Sequence, residues 1–258
     1  MTIVVAYKWA ADPQEASVTA DGTVDFSRAK PVVSEYDAAA MAAGRRIADD
    51  TGQTIVGLTV GGPAASTPMA AKAALARGLD EVVVVAGPGL AAADTVATAQ
   101  LLAEAIGGLE DVRLVLAGDC SIDVGARMVP AVLGGCLGWP TLTDVRSLHV
   151  LGERARVTRQ IAEGTQTLDL PLPAVIALSP DAAAPQVPGM KDILAAGKKP
   201  VTVIGDREVP DGPHGTVLAT AKVSGPSRRG IVIDASDVTE AAGRLAVLLG
   251  SGETAGLT

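Results

Sequence analysis

The chain has 258 residues, of which 48% are apolar but only 2% aromatic, and its formal net charge is −8. It is long enough to bury a sizeable core. The negative charge and the scarcity of aromatic rings argue against a nucleic-acid-binding protein, because a phosphate backbone would be repelled and bases would find no stacking platform. Two cysteines and two histidines give neither a disulfide framework nor a zinc spacing, so we expect no metal site and a cytoplasmic location. No apolar run reaches the ~20 residues that span a bilayer, and we expect no membrane insertion.

The first half of the chain alternates between apolar strands and Ala-rich helices. After a first strand from Ile3 to Ala6, the segment SVTADGTVDF predicts a hairpin that turns at Asp21-Gly22. A helix is predicted from about Glu35 to Asp49, with Ser34 or Asp37 near its cap. Three further pairs of strand and helix follow: TIVGLTV with STPMAAKAALARGL, EVVVVAG with DTVATAQLLAEAIGG, and VRLVLAG with a helix near Val129 to Leu137. These four β-to-α steps predict an α/β fold with a doubly wound, mostly parallel sheet, like that of adenine-nucleotide hydrolases.

The second half of the chain predicts an antiparallel hairpin extension and an arm. TLTDVRSLHV and RARVTRQIAEGTQTLDL alternate polar and apolar residues, with turns at Gly152-Glu153 and Glu163-Gly164. A buried strand PLPAVIAL, a short helix that stops at Gly197 and a last strand VTVIG follow. From Gly205 the sequence is rich in Pro, Gly, Ser and charge, which predicts an extended arm ending in an amphipathic helix from Asp237 to Leu249. We therefore divide the chain into an α/β domain, residues 1–204, and a C-terminal arm and helix, residues 205–258, that need a partner surface.

The stretch from Leu114 to Trp139, LVLAGDCSIDVGARMVPAVLGGCLGW, carries the main functional signal. An apolar strand breaks at Gly118, and a loop of small residues leads into an apolar helix. This arrangement brings a ligand phosphate to the amino end of a helix, where unpaired N–H groups and the helix dipole favour negative charge. The Walker pattern and GxGxxG after the first strand are both absent. We therefore expect this loop to hold an adenine nucleotide in a different way.

Four loops at the carboxyl ends of predicted strands form a composite candidate site. Their glycines let the backbone approach a base or a phosphate, and Arg127 offers a charge-assisted fork to phosphate oxygens. We expect no catalytic residue among them. The candidate nucleotide-binding residues are Ala6, Lys8, Trp9, Ser34, Glu35, Tyr36, Asp37, Gly61, Thr95, Thr98, Gly118, Asp119, Cys120, Ser121, Ile122, Asp123, Val124, Gly125, Ala126 and Arg127.

Most of these residues also have a purely structural interpretation. Glycines that follow strands, such as Gly61-Gly62, are ordinary turn residues, and Asp94 before the third helix is an ordinary N-cap. Arg127 can pair with Asp123 on the surface, which would contribute little. Cys120 has no histidine near it in the sequence and is a small loop residue more readily than a nucleophile. Only the shared position of the four loops favours the functional interpretation.

The chain resembles the beta subunit of the electron transfer flavoproteins. The resemblance covers about residues 2–204 and rests on the order and spacing of several segments rather than on one decisive motif. A weaker resemblance continues in the segment SRRGIVIDASDVTEAAGRLAVLL. The matching segments are IVVAYKWAADP, SEYDAAA, MAAKAALARGLDEVVVV, ADTVATAQLLAEAI, LAGDCSIDVGARMVPAVLGGCLGWP, VTRQIAEGTQTLDLPLPAVIAL and MKDILAAGKKP.

The resemblance implies a heterodimer with an electron transfer flavoprotein alpha subunit. The alpha subunit would hold most of a FAD that shuttles electrons, while the beta subunit braces this FAD and binds AMP, or a second FAD in electron-bifurcating relatives. By position, contacts to the AMP would fall on Ala6, Ser34 to Asp37, Gly61, and Gly118 to Arg127. The family commonly has Asn-Pro at Ser34-Glu35 and a polar D-G-D-T-x-Q-type loop at the positions of Asp123 to Arg127. The hydroxyl and amide groups that would hold phosphate oxygens are therefore missing, and main-chain N–H groups with Arg127 remain.

A second difference from the family concerns the redox partner. Relatives that dock acyl-CoA dehydrogenases expose a leucine in a stretch like L-N-E-P-R-Y, where this chain has Ala182 to Val187. Because this large apolar anchor is missing, the resemblance implies a specialised paralogue that serves a different dehydrogenase or exposes a redesigned docking surface.

The resulting hypothesis is an electron-carrier subunit without catalytic residues of its own. One alternative is a stand-alone adenine-nucleotide-binding sensor or hydrolase of the universal-stress type. Such a domain would end near residue 145 and would not need the hairpin, the later strands or the arm. A second alternative is a structural beta chain whose pocket is empty. The electron donor, the acceptor, the choice of AMP or FAD, and electron bifurcation stay open.

Overall fold

The computed structural model describes residues 1–212, 215 and 230–250. The chain divides into two compact units, Met1–Thr216 and Val217–Thr258. The first unit has an α/β architecture, and the described part of the second contains one helix. In the described ranges, no helix is both long enough and apolar enough to pass through a bilayer.

The strands and helices alternate in the order that the sequence predicts. The strands are β1 (Thr2–Ala6), β2 (Trp9–Ala11), β3 (Ser17–Val18), β4 (Val24–Asp25), β5 (Pro31–Val33), β6 (Thr54–Gly61), β7 (Glu81–Ala86), β8 (Val112–Gly118), β9 (Thr141–Leu151), β10 (Arg154–Ile161), β11 (Gly164–Pro171), β12 (Ala174–Leu178) and β13 (Val201–Ile204). The α-helices are α1 (Glu35–Thr51), α2 (Pro68–Leu75), α3 (Thr95–Gly107), α4 (Val129–Leu137), α5 (Met190–Ala196) and α6 (Val238–Gly250).

Nine strands form one sheet in the order β11-β10-β9-β12-β8-β1-β6-β7-β13. From β12 to β13 all neighbours are parallel, and β9, β10 and β11 add antiparallel pairs at one edge. This confirms the predicted doubly wound, mostly parallel sheet with a hairpin extension. The chain runs from β1 outward to β6 and β7 and then returns to β8 on the other side of β1. The strand order therefore reverses between β1 and β8, where such sheets bind ligands beyond the strand carboxyl ends.

Helices cover both faces of the sheet, and the alternation of side chains along β1 shows why. Ile3 and Val5 pack in the layer that contains Met41 of α1, whereas Val4 packs in the layer that contains Leu101 of α3. All five side chains are almost fully buried. Burial of a side chain of this size stabilises the fold by roughly 1.5–3 kcal/mol. The continuous apolar runs in the sequence therefore belong to strands that are covered on both faces.

The sequence also predicts most turns and caps. β3 and β4 form the hairpin expected around Asp21-Gly22, and Gly22 has a φ of 85°. Asp94 caps α3, since its Oδ1 accepts the N–H of Ala97 at 2.8 Å. α1 runs two residues beyond its predicted end, because the left-handed C-cap is Gly52, with a φ of 67°.

The antiparallel extension continues the main sheet. β9 lies beside β12 in parallel and beside β10 in antiparallel orientation, so it joins the two parts. Both predicted hairpins are present: Gly152, with positive φ, lies in the first turn, and Gly164, also with positive φ, is the first residue of β11 after the second turn. Across β10 and β11, Arg156 binds both carboxylate oxygens of Asp169, at 2.8 and 2.9 Å.

The beginning of the predicted arm packs on the first unit. The N–H of Arg207 donates to the carbonyl of Ala86 at 3.1 Å, and its side chain pairs with Glu104 of α3. The N–H of Gly215 donates to Asp94 at 2.6 Å. The compact unit thus extends to residue 216, twelve residues beyond the boundary expected at 204. Most of the expected arm, residues 213–214 and 216–229, lies outside the described residues.

The C-terminal helix α6 lies one residue from its predicted bounds. Asp237 caps it, because its Oδ1 accepts the N–H groups of Thr239 and Glu240 at 2.9 and 3.1 Å. Its sequence is amphipathic, as predicted, and it carries exposed apolar side chains. The exposed apolar residues of α6 are Val238, Leu245, Val247 and Leu249.

Candidate functional site

The carboxyl ends of β1, β6 and β8 lie side by side in the sheet. Ala6 at the end of β1 is opposite Leu58 of β6 and Ala117 of β8. The loops that follow β1 and β8, and the amino end of α1, therefore meet at the point where the strand order reverses. This is where the sequence predicts the composite site.

A buried carboxylate on α1 joins these three segments. Asp37, with 5% of its surface exposed, lies in the first turn of α1. Its Oδ2 accepts the N–H of Lys8 at 2.8 Å, and its Oδ1 accepts the N–H of Gly118 at 3.0 Å. The N–H of Ser34, the N-cap residue, donates to the carbonyl of Lys8 at 3.0 Å. We call the carboxylate of Asp37 with the N–H groups of Lys8 and Gly118 the strand-tip clasp.

Gly118 is required by the close approach of α1 rather than by a ligand. A Cβ at this position would lie 2.7 Å from the carbonyl carbon of Tyr36 and 2.8 Å from Oδ1 of Asp37. Its N–H belongs to the clasp, and the N–H of Asp119 donates to the carbonyl of Leu178 at 3.0 Å. The N–H groups of Gly118 and Asp119, which lie in the predicted phosphate-binding loop, are thus already bonded within the protein.

The charged side chains of the loop also have partners within the protein. The Nζ of Lys8 lies 2.9 and 2.7 Å from the two carboxylate oxygens of Asp123. Arg127 contacts Asp119 at 3.2 Å and Asp144, on β9, at 3.6 Å. The surface pair of Arg127 with Asp123 considered from the sequence is therefore wrong, since Asp123 binds Lys8. Two cations, Lys8 and Arg127, thus face three carboxylates around this loop, which leaves an excess of one carboxylate.

The environment changes the pKa of each carboxyl group in the loop. Burial raises the pKa of Asp119, although Arg127 opposes this effect. Burial also acts to raise the pKa of Asp123, but the hydrogen bonds from Lys8, Ser121 and Val124 outweigh it, and the pKa is lowered. Asp123 therefore stays ionised and holds Lys8 in place.

The end of the loop leaves the amino end of α4 accessible. Gly125, with a φ of 66°, donates its N–H to Ser121 Oγ at 3.3 Å. Arg127 has a φ of 57°, a conformation that only a small share of non-glycine residues adopt. The N-cap of α4, Met128, makes no side-chain capping bond, and it is exposed. Pro130 has no N–H, so the N–H groups of Val129 and Ala131 are the donors of this helix end that are best placed to receive an anion.

Comparison with known families gives the chain its assignment. A family model described as an electron transfer flavoprotein domain matches residues 21–208, well over half of the chain. The chain belongs to the electron transfer flavoprotein family. The match includes the first turn of α1, the loop after β8 and the hairpin extension, but begins after Ala6, Lys8 and Trp9.

Three other predicted site residues of this electron transfer flavoprotein, Gly61, Thr95 and Thr98, lie farther along the sheet edge. The glycines at the end of β6 are explained by packing: a Cβ on Gly61 would lie 3.0 Å from Cβ of Ala65, and one on Gly62 would lie 2.9 Å from Cβ of Ala91. Thr95 and Thr98 lie in the first turn of α3, where they are half-buried. In the residues that the structure describes, no hydrogen bond joins these positions to the loop after β8.

Some buried polar atoms in the described part of the protein have no hydrogen-bond partner, and a ligand could supply one. Within the described residues, Ser34 Oγ and Asp119 Oδ1 are buried and accept or donate no hydrogen bond. Such atoms are costly unless a ligand or a water bonds to them. Sequence reasoning missed two further examples, Thr59 on β6 and Ser179 after β12. The polar residue inside the apolar run TIVGLTV was the signal for Thr59.

The donor set fits a nucleotide phosphate near α4 better than near Gly118. Arg127, half exposed, and the uncapped amino end of α4 supply positive charge and N–H groups, and Ser34 Oγ supplies a hydroxyl beside the clasp. Cys120 lies in the loop with its thiol turned to the carbonyl of Ser121, at 3.6 Å. These groups can bind and orient a ligand, and none of them forms a nucleophile with an adjacent base.

Proposed function

We propose that this chain is the beta subunit of an electron transfer flavoprotein. In this role it braces the FAD of an alpha subunit in the cytoplasm and carries electrons between a dehydrogenase and an acceptor oxidoreductase, without catalysis of its own. The match of the family model to residues 21–208 is the observation that carries the proposal. The segments of the sequence that resemble the beta subunit in particular support the choice of subunit.

The proposal includes an adenine nucleotide, AMP or a second FAD, in the loop after β8. The position of this loop at the reversal of strand order supports it, as do the uncapped amino end of α4 and the unpartnered Ser34 Oγ. Arg127 would keep Asp119 as a neighbour and direct its outer N–H groups to phosphate oxygens. The bound nucleotide would supply no redox step in the AMP form and would only stabilise the loop.

Exposed apolar side chains support a docking surface for the redox partner. In the stretch Ala182 to Val187, which corresponds to the L-N-E-P-R-Y stretch of relatives, Val187 is 91% exposed, and Met190 and Leu194 of the following α5 are 74% and 67% exposed. They lie beside a groove between α2 and α5. The residues that line this groove are Met69, Lys72, Ala73, Ala76, Arg77, Pro188 and Ile193. We propose that the exposed side chains of Val187, Met190 and Leu194 take the place of the missing leucine in dehydrogenase docking.

The C-terminal segment supports a partner subunit in the same way. α6 carries exposed apolar side chains, among them Val238, which is 75% exposed. An amphipathic helix of this kind gains stability chiefly from packing on another surface. We propose that the arm and α6 pack on the alpha subunit.

Co-expression with a candidate alpha subunit tests the proposed function. The expected result is a yellow heterodimer with the absorbance spectrum of bound flavin, which a dehydrogenase reduces. A colourless monomer that hydrolyses ATP would contradict the proposal and favour a stand-alone nucleotide enzyme. Omission of the alpha subunit is the control, and it should give a chain without flavin.

A pair of variants tests the assigned loop. Gly125→Asp places a negative charge beside the proposed phosphate and should weaken nucleotide retention roughly tenfold more than Gly125→Asn does. Asp and Asn have nearly the same size and enter the left-handed region that Gly125 occupies, with a φ of 66°, with similar ease, so the difference between the two variants reports the charge. Equal retention in the two variants would show that the phosphate does not lie at this loop.

A further inference from the structure

Asp37 is a buried group that connects distant parts of the chain at the strand ends. Its two main-chain bonds reach residues that are 29 and 81 positions away, and both donors lie just beyond or at the end of a strand. Because the two oxygens bind segments at the ends of different strands, Asp37 ties the loop after β8 to the tip of β1, in addition to the ion pair of Lys8 with Asp123. The glycine at 118 makes room for this contact, since any Cβ there would collide with Asp37.

The charges that face Asp37 oppose one another. Lys8 lies beside it and favours the ionised form, and Asp123, which pairs with Lys8, disfavours it. Tyr7 is the third ionisable neighbour: burial and the charge of Asp37 raise the pKa of its hydroxyl. Burial outweighs the N–H groups of Lys8 and Gly118 and raises the pKa of Asp37 to about 7.

We propose that Asp37 is a positioning residue whose protonation loosens the loop after β8 and the tip of β1. The ionised carboxylate accepts one N–H on each oxygen. A proton on either oxygen turns that oxygen into a hydroxyl, which is a poor acceptor, so the contribution of one of the two N–H bonds is lost. The inference rests on the proposed function in one respect, which is that the loop after β8 binds the nucleotide. The strand-tip clasp itself is formed by this chain alone.

Two consequences distinguish a positioning role from a merely structural one. Acidification through neutral pH should loosen residues 119–127 while it leaves the amino ends of the same strands unchanged. The same acidification should not destabilise the whole domain through Asp37, because its proton is bound more tightly in the folded state than in the unfolded one. Local opening and global stability should therefore respond in opposite directions.

The test is a pH titration of the ¹⁵N-labelled full chain by NMR, from pH 5.5 to 8.5. The amide signals of Lys8 and Gly118 should move together with one common midpoint near 7, and they should not titrate in Asp37→Asn. Hydrogen exchange should show protection within residues 119–127 falling roughly fivefold on the acid side, after correction for the intrinsic rate, as expected for one lost hydrogen bond.

Asp80→Asn is the matched control. Asp80 also accepts a main-chain N–H, that of Ile55 at 3.0 Å, but at the amino end of β6, away from the site. It should leave the titration of Lys8 and Gly118 unchanged.

Static amide signals of Lys8 and Gly118 in the wild-type chain, or unchanged exchange in the loop, would overturn the proposal even if Asp37→Asn fails to fold. A failure of the flavin proposal would appear separately, as a chain that forms no yellow complex while its clasp still titrates.

Discussion

Two parts of the same sheet edge close in different ways. At the ends of β1 and β8, a buried carboxylate binds two N–H groups, and unpartnered polar atoms lie close by in sequence and fold. At the ends of β6 and β7, alanines and the chain's own backbone fill the space: Gly62 packs on Ala91, and Gly87 lies under the carbonyl of Arg207. The first region is held by a buried carboxylate, whereas alanine and backbone contacts fill the second.

This difference shows that a glycine after a strand does not by itself identify a ligand site. Gly62, Gly87 and Gly118 give the same signal in the sequence, yet each is required by a different neighbour within the protein. What separates the two regions is the polar chemistry next to the glycine. Variants that disturb one region and spare the other therefore test this account.

The largest expected effect is the pH dependence that Asp37 gives to stability. Burial raises the pKa of Asp37 to about 7, well above that of a carboxyl group in the unfolded chain, so its favourable contribution to stability is complete below pH 4 and is lost as the pH rises through 7. The shift corresponds to roughly 4 kcal/mol. The free energy of unfolding of the wild type minus that of Asp37→Asn should fall by about this amount between pH 4 and 8. Denaturant unfolding at a series of pH values measures it.

Asp80→Asn serves again as the control, because Asp80 accepts the N–H of Ile55 at the opposite end of the sheet. The free energy of unfolding of the wild type minus that of Asp80→Asn should show no decline of this size between pH 4 and 8. A pH-independent difference between the wild type and Asp37→Asn would mean that Asp37 is ionised in the native state throughout.

The next effect concerns overpacking at Gly118. Gly118→Ala should destabilise the domain by about 3 kcal/mol, because the added methyl group meets the backbone of α1, which the core holds in place. The same change should abolish the clasp and with it the protection of the Lys8 N–H. Chemical denaturation and hydrogen exchange measure the two effects, and normal stability of this variant would contradict the close approach.

Gly87→Ala sharpens the comparison, because its clash is with a surface segment. A Cβ would lie 1.7 Å from the carbonyl oxygen of Arg207, in a segment that is mostly exposed and can move away. We expect a loss of only about 1 kcal/mol, together with faster proteolysis within residues 205–212. The loop after β8 should keep its exchange protection. Loosening of that loop would show that the two regions are coupled.

The smallest effect is expected from the ion pair of Lys8 with Asp123. The side chain of Lys8 is 43% exposed, so Asp123→Asn should cost only about 0.5 kcal/mol of stability. It should nevertheless increase binding of inorganic phosphate to the loop, since it removes the carboxylate that competes for Lys8. Calorimetric titration with phosphate measures this, with Asp169→Asn on β11 as a control that leaves the loop intact.

Local patterns in the sequence predict the fold well. The apolar runs that became β6, β7 and β8, the cap at Asp94 and the turn at Gly22 are all determined by residues within a few positions of each other. Helix ends are less certain, as α1 shows, because the last turn depends on which glycine adopts positive φ.

The site depends on contacts between residues far apart in the chain, and these were harder to predict. The position of the loops follows from the strand order, which the sequence predicts. The clasp between Asp37 and Gly118 and the pairing of Arg127 with Asp144 do not follow from it, because nothing near Gly118 in the sequence specifies which carboxylate reaches it. The return of Arg207 over the end of β7 was missed for the same reason, since its composition alone suggests an extended arm.

The central claim is that this chain is an electron transfer flavoprotein subunit with an adenine nucleotide in the loop after β8. Mass spectrometry of the small molecules released from the denatured, purified heterodimer tests it most directly. We predict one FAD and one AMP per heterodimer, and two FAD if the second site holds the larger nucleotide. A heterodimer that releases only one FAD and no second nucleotide would contradict the nucleotide assignment, and one that releases neither FAD nor AMP would contradict the electron-carrier proposal.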